Sequence, residues 1–240
     1  MTSSATPRPD DPRDLAPQYV LPLVVRIEKS APPARTDALE TAARAVLALL
    51  SDERATAEDG EWTKAVHAWQ DARIRKVVRR ARGAEWRRAS SLPGITVTGE
   101  AAEVRVFPPV PLDGWPKELV KLQVSGTELD DPVVPGPPDP ARPVLWLNPG
   151  VEMSAGKAMA QAGHGAQLAW WRLDEAARAA WRADGFALSV RTAGPERWAE
   201  LTASGLPVVR DAGFTEIAPG LTLAVEGIDR IGSLPSLRRP

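Results

Sequence analysis

The sequence contains no cysteine, which excludes a disulfide scaffold, a thiol nucleophile and a zinc–thiolate site. Its only histidines are His67 and His164, and nothing around them has the spacing of metal ligands. No phosphate-cradling glycine loop of the nucleotide-binding kind is present, so neither a metal nor a nucleotide cofactor is expected. No apolar run is long enough to span a bilayer. The opening residues, M-T-S-S-A-T-P-R-P-D-D-P-R-D, lack the apolar centre of a signal peptide. The expectation is a cytoplasmic protein with no membrane partner. Net charge is also lacking, at −1, so a nucleic-acid partner has to be held by a local basic patch.

What is present is ordinary globular composition, 43% hydrophobic and 25% charged over 240 residues, enough for one large domain or two small ones. Residues 1–17 are rich in Pro, Asp and Ser and are expected to be a disordered tail. Residues 18–129 form a first unit. Asp130 to Pro143, D-D-P-V-V-P-G-P-P-D-P-A-R-P, is the clearest boundary, and residues 130–142 read as a proline-rich linker held extended. Residues 143–240 form a second unit. Strands are expected at Tyr19–Ile27, Ile95–Val97, Glu103–Phe107, Val144–Leu147, Phe186–Arg191, Leu206–Asp211 and Leu221–Val225. Helices are expected at Thr36–Leu50 (capped by Thr36 or Asp37), Glu61–Ala72, Ala84–Ser90, Trp115–Leu122, Leu173–Trp181 and Pro195–Ala203. The alternation argues for α/β layers.

The two units resemble each other. Trp69 and Trp86 are spaced as Trp181 and Trp198 are. Between them Ile74, Val78, Arg79 and Ala81 fall opposite Phe186, Val190, Arg191 and Ala193. Ser91–Ile95 falls opposite Gly205–Val209, Gly99 opposite Gly213, and Leu47-Ala48 opposite Leu168-Ala169. The common order points to a duplication and makes Ile74–Ala81 a strand rather than a continued helix. In these registers Lys157 faces Thr36, His164 faces Ala43, Asp211 faces Val97 and Thr215 faces Ala101. The polar residues of the second unit are therefore replaced in the first, which reads as a degenerate copy acting as an internal stand-in for a second subunit.

The polar residues stand on two stretches. Met153–Trp171, M-S-A-G-K-A-M-A-Q-A-G-H-G-A-Q-L-A-W-W, opens on a good helix cap, Ser154. At 3.6 residues per turn it aligns Lys157, Gln161, His164 and Leu168 on one face. Gly156, Gly163 and Gly165 each cost about 1 kcal/mol against Ala in a helix and imply a close neighbour, either a strand or a ligand. Leu206 onward reads L-P-V-V-R-D-A-G-F-T-E-I-A-P-G-L-T-L-A-V-E-G. Asp211 ends a strand before a Gly turn, so its carboxylate can be aimed at a cleft. His164 can take a proton at neutral pH, Lys157 at a helix start suits an anion, and Thr215 can position substrate or water. Plainer roles compete: a tightly packed Ala/Gly helix, a core histidine, a solvated lysine, a turn-capping aspartate and a turn hydroxyl. A basic run from Arg73 to Arg88, opposed only by Glu85, suits either a nucleic-acid backbone or the acidic segment Asp52–Glu61.

Together the two stretches resemble the second class of peptidyl-tRNA hydrolases, the archaeal and eukaryotic type, over about residues 143–228. That family carries motifs like M-x-x-G-K-x-x-A-Q-x-x-H-A and G-L-P-x-x-x-x-x-D-A-G-x-T-Q-x-x-P-G-T-x-T. The resemblance implies an α/β fold of two tandem units, each a mixed sheet flanked by helices, forming a monomeric pseudo-dimer. It also implies metal-independent, cofactor-free hydrolysis of the ester between a peptide and tRNA. Lys157, His164, Asp211 and Thr215 match as catalytic residues, and Gln161 and Thr222 as substrate-binding ones. Arg75, Lys76, Arg79 and Arg80 are the expected contacts to tRNA phosphates. The chain departs from the family at Asn148 and Gly150, where Arg and Asp are usual, at Phe214 and Glu216, and in a shorter loop after Pro219-Gly220. These departures keep two alternatives open: a non-catalytic RNA- or protein-binding relative, and a hydrolase of another ester or amide.

Overall fold

The computed structural model describes residues 17–211 and 217–232. The expected tail (but for Pro17), Phe214, Thr215, Glu216 and the residues after Gly232 lie outside the described residues.

The first half runs β1 (Tyr19–Arg26), α1 (Arg35–Leu50), α2 (Glu53–Thr56), α3 (Thr63–Asp71), β2 (Arg75–Ala81), α4 (Gly83–Ser90), β3 (Ile95–Thr98), β4 (Glu103–Val106), β5 (Val110–Pro111) and α5 (Lys117–Val120). The second runs β6 (Val144–Leu147), α6 (Ala155–Arg172), α7 (Glu175–Ala183), β7 (Ser189–Thr192), α8 (Pro195–Ala203), β8 (Val208–Asp211) and β9 (Gly220–Glu226), then a 3-10 turn at Ile228–Arg230. Two mixed sheets result, ordered β2-β1-β4-β3 and β7-β6-β9-β8, with β5 pairing β1 at the edge of the first. In each sheet the first two strands are parallel and the remaining pairings antiparallel.

Strand alternation decides what each sheet buries. Leu21, Leu23 and Val25 of β1 and Leu145 and Leu147 of β6 face one large shared core with α1 and α6. Val24 turns to the other face, where Trp86 and Ala89 of α4 cover it. Trp146 does the same against Trp198 and Leu201 of α8. Helices α1 and α6 pack along each other between the sheets, made nearly smooth by alanine and glycine. A Cβ on Gly163 would lie 2.9 Å from Val46 Cγ2 of α1, and one on Gly165 would lie 2.5 Å from Leu223 Cδ2 of β9. The neighbour implied by those glycines is therefore the protein itself, on both sides of the helix.

Two further details match between the halves. Among the described residues the non-glycine ones with positive φ are Ile74 and Phe186, at 36° and 58°, which precede β2 and β7. Each donates its N–H to the carbonyl of the tryptophan five residues earlier, Trp69 or Trp181. That tryptophan's indole donates to Arg75 O at 2.8 Å or Ala187 O at 2.9 Å. The same sharp helix-to-strand corner is built twice, locked by a buried indole N–H.

Three expectations need correction. Neither Thr36 nor Asp37 caps α1: Ala34 is the N-cap residue, and Asp131 from the proline-rich segment accepts from Thr36 N and Oγ1, both at 2.7 Å. The linker carries no helix or strand, but it is anchored, since Gly136 O also accepts from Arg191 Nε at 2.9 Å. The cross-half registers also shift. Lys157 and Gln161 meet Asp211, whereas in the first half Asp37 and Thr41 meet Gly99. The counterparts of Lys157 and Asp211 are thus Asp37 and Gly99, not Thr36 and Val97.

Candidate functional site

Helix α6 begins as its sequence demands. Ser154 Oγ accepts from Lys157 N at 3.1 Å, closing the first turn and fixing where Lys157 leaves the helix. Lys157 and Gln161 lie one turn apart on the same face, and both reach Asp211 at the end of β8. Lys157 Nζ lies 2.6 Å from Asp211 Oδ2, and Gln161 Nε2 donates to the same oxygen at 2.9 Å. The ammonium and carboxylate side chains are only 13% and 11% exposed, so the pair feels a weaker dielectric than a surface ion pair does.

Thr222 joins through an irregularity. Val209 pairs with Leu223 and Arg210 with Leu221, so a bulge leaves Thr222 as the extra residue on β9. Leu223 faces α6 and Ala224 faces α8. Strict alternation would send Thr222 outward with Ala224, but the bulge turns it inward, as bulges beside functional sites often do. Its hydroxyl lies 2.8 Å from Gln161 Oε1 and 3.3 Å from Val209 O, fully buried. Lys157, Asp211, Gln161 and Thr222 thus form one continuous polar network.

His164, two turns from Lys157, is partly buried and turned toward the first half. Its Nδ1 lies 3.2 Å from Lys76 Nζ on β2. Lys76 also donates to Gln167 Oε1 at 2.6 Å and to Ile74 O at 3.3 Å, and its ammonium sits 4.7 Å from the centre of the Trp69 ring. Burial, then the charges of Lys76 and Lys157, hold the His164 pKa well below its ordinary 6.5. The imidazole is neutral at pH 7 and a weaker base than the sequence suggests. Burial also pulls Lys76 well below 10.5.

The expected tRNA-contacting cations fare differently. Lys76 is not on the surface at all. It is on the inward face of β2 with Val78, and this corrects its assignment to a phosphate. Arg79 donates to Val120 O and Leu122 O and stacks 4.6 Å from the centre of the Trp115 ring. Arg80 donates to Ser125 O and Gln123 Oε1. Both guanidinium groups are committed to holding the segment after β5, and burial lowers the Arg79 pKa. Arg75 remains half-buried. Thr215 lies outside the described residues. Asn148 holds a turn: its Nδ2 donates to Leu221 O at 2.7 Å and its Oδ1 accepts from Gly150 N at 2.8 Å.

Sequence reasoning missed Lys76 and Gln167 as neighbours of His164. A signal existed. Once Ile74–Ala81 is read as a strand, its period of two puts Lys76 on the side of Ile74 and Val78. Two cavities of about 270 and 250 Å³ lie elsewhere, one at Trp62, Phe107 and Pro109 and one at Arg35, Asp131 and Arg191. Neither is lined by the network residues. Among the described residues, no three His, Asp or Glu are grouped to hold a metal, and no helix is long and apolar enough to cross a membrane. No protein-family model and no curated protein matches this sequence.

Proposed function

We propose that the chain is a peptidyl-tRNA hydrolase of the second class, a cytoplasmic monomer whose reaction centre belongs to the second half. The observation that carries this reading is the 2.6 Å contact of Lys157 Nζ with Asp211 Oδ2. It joins the two stretches that bear the resemblance, 54 residues apart, and Gln161 and Thr222 complete the same network. A solvated lysine and a turn-capping aspartate have no reason to meet in this way. The first half is read as a degenerate copy and internal partner. The shared strand order and the twice-built tryptophan corner support that reading.

The chemistry is addition of water to the ester carbonyl. Asp211 orients the water, and the Lys157 ammonium stabilises the negative charge that develops on the carbonyl oxygen. Collapse of the adduct breaks the bond to the ribose oxygen, which takes one of the two protons of the water and leaves as a free hydroxyl, while the peptide leaves as its carboxylate and the other proton passes to solvent. Gln161, fixed by Thr222, keeps Asp211 in place as substrate enters.

A second reading is a non-catalytic RNA- or protein-binding relative, and one fact favours its protein-binding form: Lys76, Arg79 and Arg80, the cations expected on tRNA phosphates, are spent on internal contacts. The test uses N-acetyl-phenylalanyl-tRNA with the full chain. The first reading predicts free N-acetyl-phenylalanine released well above the spontaneous rate, with tRNA that can be recharged. Binding without release transfers the case to the RNA-binding form of the second reading, and neither binding nor release ends the hydrolase and leaves the protein-binding form.

A further inference from the structure

The contacts of Lys76 assign a role to the first half beyond that of a partner surface. Lys76 Nζ has three neighbours: Ile74 O, Gln167 Oε1 and His164 Nδ1, at 3.3, 2.6 and 3.2 Å. The first two can only accept. Two oxygen acceptors and the face of Trp69 hold Lys76 as an ammonium against the pull of burial, and an ammonium carries three N–H donors, so the third is directed at His164 Nδ1. Gln167 turns its oxygen to Lys76 even though this leaves its buried Nε2 without a partner among the described residues. The face of Trp69, 4.7 Å away, favours a cation at that point.

We propose that Lys76 is a positioning residue that fixes His164 as the neutral Nε2–H tautomer, so that His164 serves the second half's site as a hydrogen-bond donor and not as a proton acceptor. The assignment of that site rests on the hydrolase reading, but the tautomer does not. With Nδ1 committed to Lys76, the imidazole's one proton resides on Nε2. Nε2 has no partner among the described residues, and the ring is partly exposed. A donor at this place, two turns from Lys157, suits an oxygen of an incoming ester or phosphate. The site is then composite: α6 and β8 bring the reacting groups, and β2 of the other half sets the hydrogen-bonding sense of His164.

The titratable groups acting on His164 are Lys76 from β2 and Lys157 from its own helix. Asp211 of β8 faces Lys157. At this level α1 presents Val46 to α6 and β9 presents Leu223, neither of which titrates. Removing the Lys76 charge therefore leaves one fewer cation opposing protonation and frees Nδ1.

Imidazole nitrogen–proton correlation spectra of the full chain test this directly, because the other histidine, His67, is exposed on α3 and serves as an internal control. In wild type the proposal expects His164 as the Nε2–H tautomer from pH 6 to 8. An Nδ1–H tautomer, or a mixture, overturns it. In Lys76→Met, His164 is expected to populate both tautomers, with its pKa raised and the His67 signals unmoved. An unchanged His164 in the folded variant overturns the proposal. If that variant does not fold, the wild-type tautomer decides alone. Peptidyl-tRNA hydrolysis enters neither measurement, so failure of the hydrolase reading and failure of this one are separable.

Discussion

Alanine in place of Asp211 will slow peptide release from peptidyl-tRNA by about 10³-fold, within the range that a positioned acid–base group contributes. The loss should fall on kcat more than on KM, because on the hydrolase reading the carboxylate acts on water and on the developing transition state. Two effects combine. On that reading the variant removes the group that orients water, and it strips Lys157 of the carboxylate at 2.6 Å. Leaving a mostly buried ammonium and the Gln161 amide short of an acceptor also costs about 1–3 kcal/mol of stability. Asp211→Asn separates the two. It keeps an oxygen for Gln161 and nearly the same shape while removing the charge, so it should unfold close to wild type and still lose most activity. If Asp211→Asn hydrolyses peptidyl-tRNA at the wild-type rate, Asp211 is only a strand-end tie.

Trp69→Ala will lower stability by about 3–5 kcal/mol, the usual cost of truncating a buried tryptophan. Trp69 is fully buried in the shared core. Its indole N–H holds Arg75 O, and its ring faces the Lys76 ammonium. The substitution therefore opens a cavity, removes the indole hydrogen bond that locks the helix-to-strand corner and weakens the Lys76 cluster that reaches the second half. Since the α1–α6 contact places both halves on one core, the whole chain should still melt in a single transition, with the urea midpoint shifted and the slope little changed. Trp181→Ala, at the matching corner, should behave alike. Two separate transitions, with Trp69→Ala leaving the second half at its wild-type midpoint, would show that the halves do not depend on each other.

Much of this was legible in the chain where local chemistry decides. Ser154 announces the start of α6, and Pro195 announces that of α8. The repeat identifies β2 where its charge pattern, I-R-K-V-V-R-R-A, is ambiguous. The site residues on α6 share a face because helical spacing requires it. What was not legible depends on contacts distant in sequence. The capping of α1 is supplied by Asp131, about a hundred residues away, which no local rule reaches. The bulge that turns Thr222 inward appears only when β8 and β9 pair.

The repeat registers slipped for a related reason. Matching letters paired Lys157 with Thr36, whereas geometry pairs it with Asp37, a residue of opposite charge. In the first half the helix carries the carboxylate, and Asp37 accepts from the backbone N–H groups of Glu100, Ala101 and Ala102. In the second half the helix carries the ammonium and the strand the carboxylate. The same juncture of helix and strand is tied in one half by a carboxylate on backbone N–H groups and in the other by an ion pair, which sequence identity cannot reveal. On the hydrolase reading this difference is why one juncture is structural and the other reactive.

On the hydrolase reading one polar network, shared by α6, β8 and β9, receives the ester. The decisive measurement titrates the full chain with a stable mimic of the peptidyl-tRNA end, an adenosine whose 3′ position carries an N-acylated amino acid through an amide. Resonances of the Lys157 ammonium, the Gln161 amide and Thr222 are expected to shift together and saturate together, and to lose that response in Asp211→Ala. Shifts confined to the first half, or shifts at these residues that survive in Asp211→Ala, would contradict the account.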